Sequence, residues 1–196
     1  MIGTLIVAAT RLVVGGQGVW IGCGPSERQR IYFANHSSHL DTILVWAAMP
    51  PELRQRVRPV AAADYWGKGR VQRHIALKVL NAVLIDRQTR SSDPLEPLKA
   101  ALSAGDSLIL FPEGTRGTGE LPSPFKPGLY HLAKAFPEVE LVPVFLDNLR
   151  RALPKGSLVP VPLSCVARFG TPMHLEQGET KPAFLERARE AVTGMA

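Results

Sequence analysis

Two short apolar runs set the tightest limit on what this chain can fold into. Ile109-Leu110-Phe111 and Leu141-Val142-Pro143-Val144 are continuous and do not alternate with polar residues. A strand that is apolar on both sides must be covered on both faces, as strands inside a parallel sheet are. Helical stretches separate such runs along the chain. Strand candidates are 19–22, 31–35, 58–62, 82–86, 107–111, 140–145 and 164–169. Helix candidates are 40–49, 65–80, 94–104, 127–136 and 182–192. This α/β alternation predicts a mostly parallel sheet covered on both faces. Asp93-Pro94 reads as a helix start, a capping side chain followed by proline at the first position, and Lys181-Pro182 reads as another. Pro143 is a misfit for a central ladder and predicts a strand end or an irregularity there. The stretch 150–162 is rich in Pro, Gly and Lys and reads as a connector.

At 196 residues the chain is most simply one domain, long enough for a sizeable core. Apolar residues make up 45% and charged residues 20%, a globular balance. The net charge of +6 favours anionic partners: phosphates, acidic lipids, acyl carriers or nucleic acid. The charge is spread out, with no basic helix and no interleaved aromatics, which argues against nucleic acid. Arg54, Arg56, Arg58, Lys68, Arg70 and Arg73 are read either as facing an anionic lipid or carrier, or as an ordinary solvated surface. Cys23 and Cys165 have no paired spacing, so neither a disulfide framework nor a structural zinc site is expected. A reducing compartment fits this usage. The apolar segment 1–16 is too short to span a bilayer. Read as a helix, it gathers Ile2, Leu5, Ile6, Ala9, Leu12 and Val13 on one face. That face suits either a membrane surface or the chain's own domain.

The chemistry-bearing residues fall in two places. In the first, Asn35-His36-Ser37-Ser38-His39-Leu40-Asp41 follows the apolar run at 31–34. Residues five apart diverge on a regular helix, so His36 and Asp41 can meet only if His36 lies in a loop. Asp41 would then sit in the first turn of the next helix, with Ser38 as its N-cap. An imidazole oriented by a carboxylate is a usable general base near neutral pH. Three rival readings exist: metal binding by His36, His39 and Asp41, a nucleophilic Ser37 or Ser38, and a structural histidine. The spacing matches no common zinc pattern, and no glycine-framed nucleophile elbow surrounds the serines.

In the second place, the run 107–111 empties into Pro112-Glu113-Gly114-Thr115-Arg116. A turn at the carboxyl edge of a parallel sheet is where ligands bind in such folds. Gly114 permits close approach or positive φ, and Arg116 offers a planar fork for an anion. Arg87, after the run 82–85, is a second arginine at a strand end. Gly105-Asp106-Ser107-Leu108 imitates a serine-hydrolase signature, but no accompanying Asp-x-x-His element exists in the chain. It more simply closes a helix and opens a strand.

These motifs resemble the glycerolipid acyltransferases, in particular bacterial 1-acylglycerol-3-phosphate (lysophosphatidate) acyltransferases. Asn35-His36-x-Ser38-x-x-Asp41 matches the first block of that family, and Phe111-Pro112-Glu113-Gly114-Thr115-Arg116 the third. The run 82–87 resembles the second, Val142-Pro143-Val144 the fourth, and Phe125-Lys126-Pro127-Gly128 the lysine and glycine after the third. The resemblance spans the core 31–146 and implies an αβα sandwich. It implies His36 and Asp41 as the base pair, with Arg87, Glu113, Gly114, Thr115 and Arg116 binding the acceptor's phosphate. It further implies direct acyl transfer from acyl-CoA or acyl carrier protein to a lysophospholipid hydroxyl, with no metal or organic cofactor. The expected location is the cytoplasmic side of the cell membrane, peripheral or monotopic. Another acceptor (an amino-acid lipid included), a lipid hydrolase and a non-catalytic lipid-binding protein stay open as alternatives.

Overall fold

A computed structural model describes residues 15–38, 40–63, 73–85, 93–117, 121–148 and 164–196, with Gly3, Val7, Ala8, Thr10, Gly69 and Gly119. The strands are β1 (Gln17–Trp20), β2 (Arg30–Ala34), β3 (Val57–Ala62), β4 (Val83–Ile85), β5 (Ser107–Leu110), β6 (Glu140–Asp147) and β7 (Val166–Phe169). The helices are α1 (Asp41–Ala48), α2 (Pro51–Arg54), α3 (Glu96–Ser103), α4 (Gly128–Ala135) and α5 (Lys181–Thr193), plus a π-helical turn at Ile75–Val79.

Among the described residues the strands form one sheet in the order β1-β7-β6-β2-β5-β3-β4. Five strands run parallel; β7 pairs antiparallel with β6 and carries β1 with it. β2 lies inside the sheet, and each of its residues is buried. Its side chains alternate between two cores. Tyr32 and Ala34 join Leu44, Val45 and Met49 of the α1 layer. Ile31 and Phe33 join Leu98, Leu129 and Phe184 from α3, α4 and α5. This is the sandwich that the apolar runs predict.

β2 is pinned at its start. Arg30 Nε donates to Glu140 Oε2 at 2.8 Å, and its backbone N–H donates to Ser107 Oγ at 2.9 Å. Burial works against the charge on Glu140, but the Arg30 and Arg28 guanidiniums outweigh it and hold the carboxyl below the usual range. The Ser107 bond also settles the hydrolase imitation: this serine opens β5.

Several local expectations are corrected. Pro143 lies inside β6, not at an end, but the irregularity expected there exists: the register to the β7 side shifts by one residue between Leu141↔Met173 and Val144↔Phe169. Leu141 exchanges both backbone bonds with Met173 on the β7 side, and Pro143 O accepts from Gly170 there. By alternation the Pro143 nitrogen faces that same side, where β7 pairing begins only at Val144. No ladder bond to β2 is lost. Asp93 does not cap a helix starting at Pro94. Its Oδ1 accepts from Leu95 N at 3.0 Å, and α3 starts at Glu96. The Lys181-Pro182 start holds: α5 begins at Lys181, capped by Thr180, whose side chain accepts from Ala183 N. Of the helix expected over 65–80, the described end is helical, with Arg73 and His74 leading into the π-helical turn that Leu80 N closes on Ile75 O.

Two of the basic residues serve the fold. Arg54 donates to the carbonyls of Met49 and Ala47 beyond and within α1 and lies over the Trp46 ring. Arg58 pairs with Asp106 and donates to Asn81 O. Lys68 and Arg70 lie outside the described residues. In the N-terminal segment, Val7 is buried in the α1-side core, and a Cβ on Gly3 would meet Trp46 at 3.3 Å. At those positions the segment packs on its own domain; Ile2, Leu5, Ile6, Ala9, Leu12 and Val13 lie outside the described residues. Among the described residues no helix is long and apolar enough to cross a membrane.

Phe169 joins the reversed strand pair to the rest of the sheet. It is fully buried, stacks on Trp20 at 4.0 Å and meets Tyr32 edge-on at 5.9 Å. Phe169→Ala should lower stability by about 3–5 kcal/mol, read as a lower urea midpoint. Val19→Ala, on the exposed face of β1, should stay within about 0.5 kcal/mol.

Candidate active site

β2 and β5 are adjacent and parallel, so the loops after them open at the same edge of the sheet. Asn35 is the first residue past β2. Its side chain extends the ladder: Oδ1 accepts from Leu146 N at 2.7 Å and Nδ2 donates to Leu146 O. The chain then turns, and His36 and Asp41 meet as the loop reading requires. His36 Nδ1 lies 2.8 Å from Asp41 Oδ2.

The cap of α1 is the reverse of the one expected from Ser38. Asp41, in the first helical turn, reaches back, and its Oδ2 accepts from Ser37 N at 2.6 Å and Ser38 N at 2.8 Å. Ser38 Oγ accepts from Leu40 N instead. Asp41 is fully buried, whereas the His36 side chain is 22% exposed. Among the described residues, Asp41 Oδ1 accepts no hydrogen bond. A buried carboxylate satisfied on one oxygen alone gains from a positive charge forming on its imidazole partner. With a carboxylate against Nδ1, that nitrogen carries the proton and Nε2 is left as the acceptor.

Phe111, just past β5, stacks on the His36 ring at 4.5 Å. The following turn is closed by Gly114 N to Phe111 O at 3.0 Å. Gly114 has φ +70°, and a Cβ there would fall 2.7 Å from Lys126 Nζ. Glycine therefore answers two demands, the left-handed backbone and the passage of the lysine stem. Glu113 is buried, its Oε1 accepting from His36 N at 2.7 Å and its Oε2 from Ser123 N at 2.8 Å.

His36 borders a cavity of about 520 Å³. Gly114, Thr115, Arg116 and Lys126 supply the polar and cationic part of its lining. Val60, Ala61, Ile85, Leu110 and Leu129 supply the apolar part. The structure thus brings together His36, Asp41, Gly114, Thr115 and Arg116, as the two motifs suggest. Arg87 lies outside the described residues. Glu113 is in the site but does not line this cavity; it borders a smaller one of about 200 Å³, which His36 also lines. Lys126, quoted above only for its place after the third block, is a cavity-lining cation. Phe111 reads from sequence as a strand end; its role as a shelf for the imidazole has no local signal.

Two of the rival readings meet the structure only in part: Ser37 borders a smaller cavity that His36 also lines, and the proposed metal set includes His39. Among the described residues no cluster of His, Cys, Asp and Glu could hold a metal, and His39 lies outside them. Neither Ser37 nor Ser38 lines the large cavity.

The tautomer is directly measurable. Nitrogen NMR shifts of His36 should show the proton on Nδ1, and Asp41→Asn should move much of the population to Nε2–H. A wild-type ring protonated on Nε2 would remove Asp41 as its orienting partner.

Comparison with known proteins bears on family and fold. A family model described as Acyltransferase matches residues 24–147, more than half of the chain. The chain is 25% identical over 176 residues to a 1-acyl-sn-glycerol-3-phosphate acyltransferase of Limnanthes douglasii, covering 84% of this chain and 60% of that protein. It is 29% identical over 180 residues to one of Cocos nucifera, covering 85% and 56%. It is 25% identical over 174 residues to the alpha form of Homo sapiens, covering 86% and 59%. The chain therefore spans somewhat over half the length of these relatives. In fold it is similar to the crystal structure of the 1-acyl-sn-glycerophosphate acyltransferase PlsC from Thermotoga maritima. The TM-score is 0.75 at 22% identity, covering 98% of this chain and 78% of that one. The chain belongs to the acyltransferase family.

Proposed function

We propose that this chain moves a fatty acyl group from acyl-CoA or acyl carrier protein to the free hydroxyl of a lysophospholipid. The acceptor we favour is 1-acylglycerol-3-phosphate, giving phosphatidate. The observation that carries this reading is the His36–Asp41 pair, 2.8 Å apart, at a cavity lined by both cations and apolar side chains. The names of the curated relatives support it.

In this reading His36 Nε2 takes the proton of the acceptor hydroxyl. The oxygen attacks the thioester carbonyl, forming the ester C–O bond as the C–S bond breaks. The proton passes from the imidazolium to the leaving sulfur, so the thiol departs neutral and no acyl-enzyme forms. Asp41 holds the ring and stabilises its charged form. Such a base contributes roughly 10²–10⁴ in rate. Arg116 and Lys126 hold the acceptor's phosphate, with Thr115 and the Gly114 turn beside them. Arg87 keeps its proposed share of that anion. The apolar lining accepts acyl chain. The reaction calls on no metal or organic cofactor; the acyl carrier is a co-substrate. The working location is the cytoplasmic face of the membrane, where lysolipid and carrier meet.

The test is transfer from labelled acyl-CoA, and then from acyl carrier protein, to lysophosphatidate, zwitterionic lysophospholipids, an amino-acid lysolipid and no acceptor. Phosphatidate should form, and His36→Ala should reduce turnover roughly 10²–10⁴-fold with the fold intact. Near-normal activity of that variant would end the general-base role. Free fatty acid alone would indicate a hydrolase, and no product from either donor a binding protein.

Arg116→Ala and Lys126→Ala should each raise the acceptor KM by roughly tenfold or more, as loss of one charged hydrogen bond does. An unchanged KM would take that residue out of the phosphate site.

A further inference from the structure

Glu113 is a charged side chain at the site for which substrate binding offers no use. It is 3% exposed, and both carboxylate oxygens are occupied by backbone N–H groups. Those donors come from two different places, His36 on the loop after β2 and Ser123 ahead of α4. A carboxylate is also the wrong sign for a phosphate ligand, and this one does not line the cavity of Arg116 and Lys126 but a smaller one, which His36 also borders and which is lined by no lysine or arginine among the described residues.

A second contact explains the placement. Gly117 N donates to His36 O at 2.8 Å. The loop after β5 therefore grips the backbone of His36 twice, at its N–H through Glu113 and at its C=O through Gly117. Room for the carboxylate is kept by glycine, since a Cβ on Gly117 would lie 3.1 Å from Glu113 Oε2. The ring is held separately, by Asp41 on one nitrogen and Phe111 on one face.

We infer that Glu113 is a positioning residue, which fixes the backbone of His36 so that the base meets the acceptor hydroxyl, and is not a ligand of the acceptor. The inference rests on His36 being the base. The side chain is suited to the task. Aspartate is one methylene short of bridging both donors. Glutamine keeps one acceptor oxygen but turns its amide N–H toward the other N–H, so one of the two bonds is lost. The N–H bonds to the ionised form are charge-assisted and short, which resists slippage of the loop.

The test is Glu113→Gln, with steady-state kinetics varied in acceptor. The kcat should fall roughly 10²-fold, the scale of an ångström-sized misplacement of a reacting group. The acceptor KM should stay near the wild-type value. A raised acceptor KM with kcat retained would make Glu113 a substrate ligand and overturn the inference. So would a variant that is less stable yet unchanged in both constants, because its role would then be structural only. The wild-type protein supplies a check that does not depend on the variant folding. The His36 amide proton should be far downfield and protected from exchange with deuterated water. An ordinary shift with free exchange would mean that the clasp is absent. Activity retained in His36→Ala would instead defeat the base reading, while the amide proton would still decide the clasp.

Discussion

β2 is hydrogen-bonded along both edges, to β5 and β6, and covered on both faces. The site depends on that confinement. Arg30 locks its first residue to Glu140, and Asn35 locks the residue beyond its end to Leu146. A strand held at both ends cannot slip, and a slip by one residue would exchange every side chain between the two cores. The loop that leaves it is therefore delivered at one height and in one direction. β5, in parallel register alongside, delivers the 111–117 loop to the same edge.

Buried carboxylates bound to backbone N–H groups order these loops, Asp41 within the first and Glu113 between the two. Asp41 takes the amides of Ser37 and Ser38, and Glu113 takes those of His36 and Ser123. An isolated buried carboxylate is costly, and hydrogen bonds to its charged form offset that cost. Here the same bonds order a turn that has no regular secondary structure to hold it. The cations Arg116 and Lys126 stand on the cavity lining. Negative charge thus sits behind the imidazole, and positive charge sits where an anionic acceptor would arrive. This arrangement suits a base that becomes positive during the reaction and a substrate that is negative throughout.

Much of the fold was legible because the signals are local. The apolar runs at 31–35, 107–111 and 140–145 became β2, β5 and β6 with ends shifted by a residue or two. His36 and Asp41 were legible as a pair because a loop-to-helix junction is the one local geometry that joins residues five apart. Caps and turns read less well. Asp93-Pro94 forms a turn ahead of α3, and Asp41 caps backward where Ser38 was expected to cap forward. In both, several backbone N–H groups lie within reach of the polar side chain, and the path of the chain decides which are taken. Pro143 was half legible: the register shifts beside it, as a proline in a ladder suggests, but which edge its nitrogen faces follows from strand order. The resemblance named Glu113 as a phosphate ligand; its direction, toward the backbone of His36, is not written in the sequence, which shows a charge and not where it points.

The sequence by itself determined the strand and helix periods, and with them a layered parallel sheet. It also determined which residue types stand at the ends of β2 and β5. Only the tertiary structure decided that these ends are neighbours, that Glu113 turns toward the His36 backbone, that Phe111 lies against the ring and that Lys126 crosses Gly114 into the cavity. The physical reason is separation along the chain. The bond from His36 to Glu113 spans 77 positions and that from Asn35 to Leu146 spans 111. Such contacts exist only once the strand order is set, and the strand order depends on how all the covering helices share the two faces.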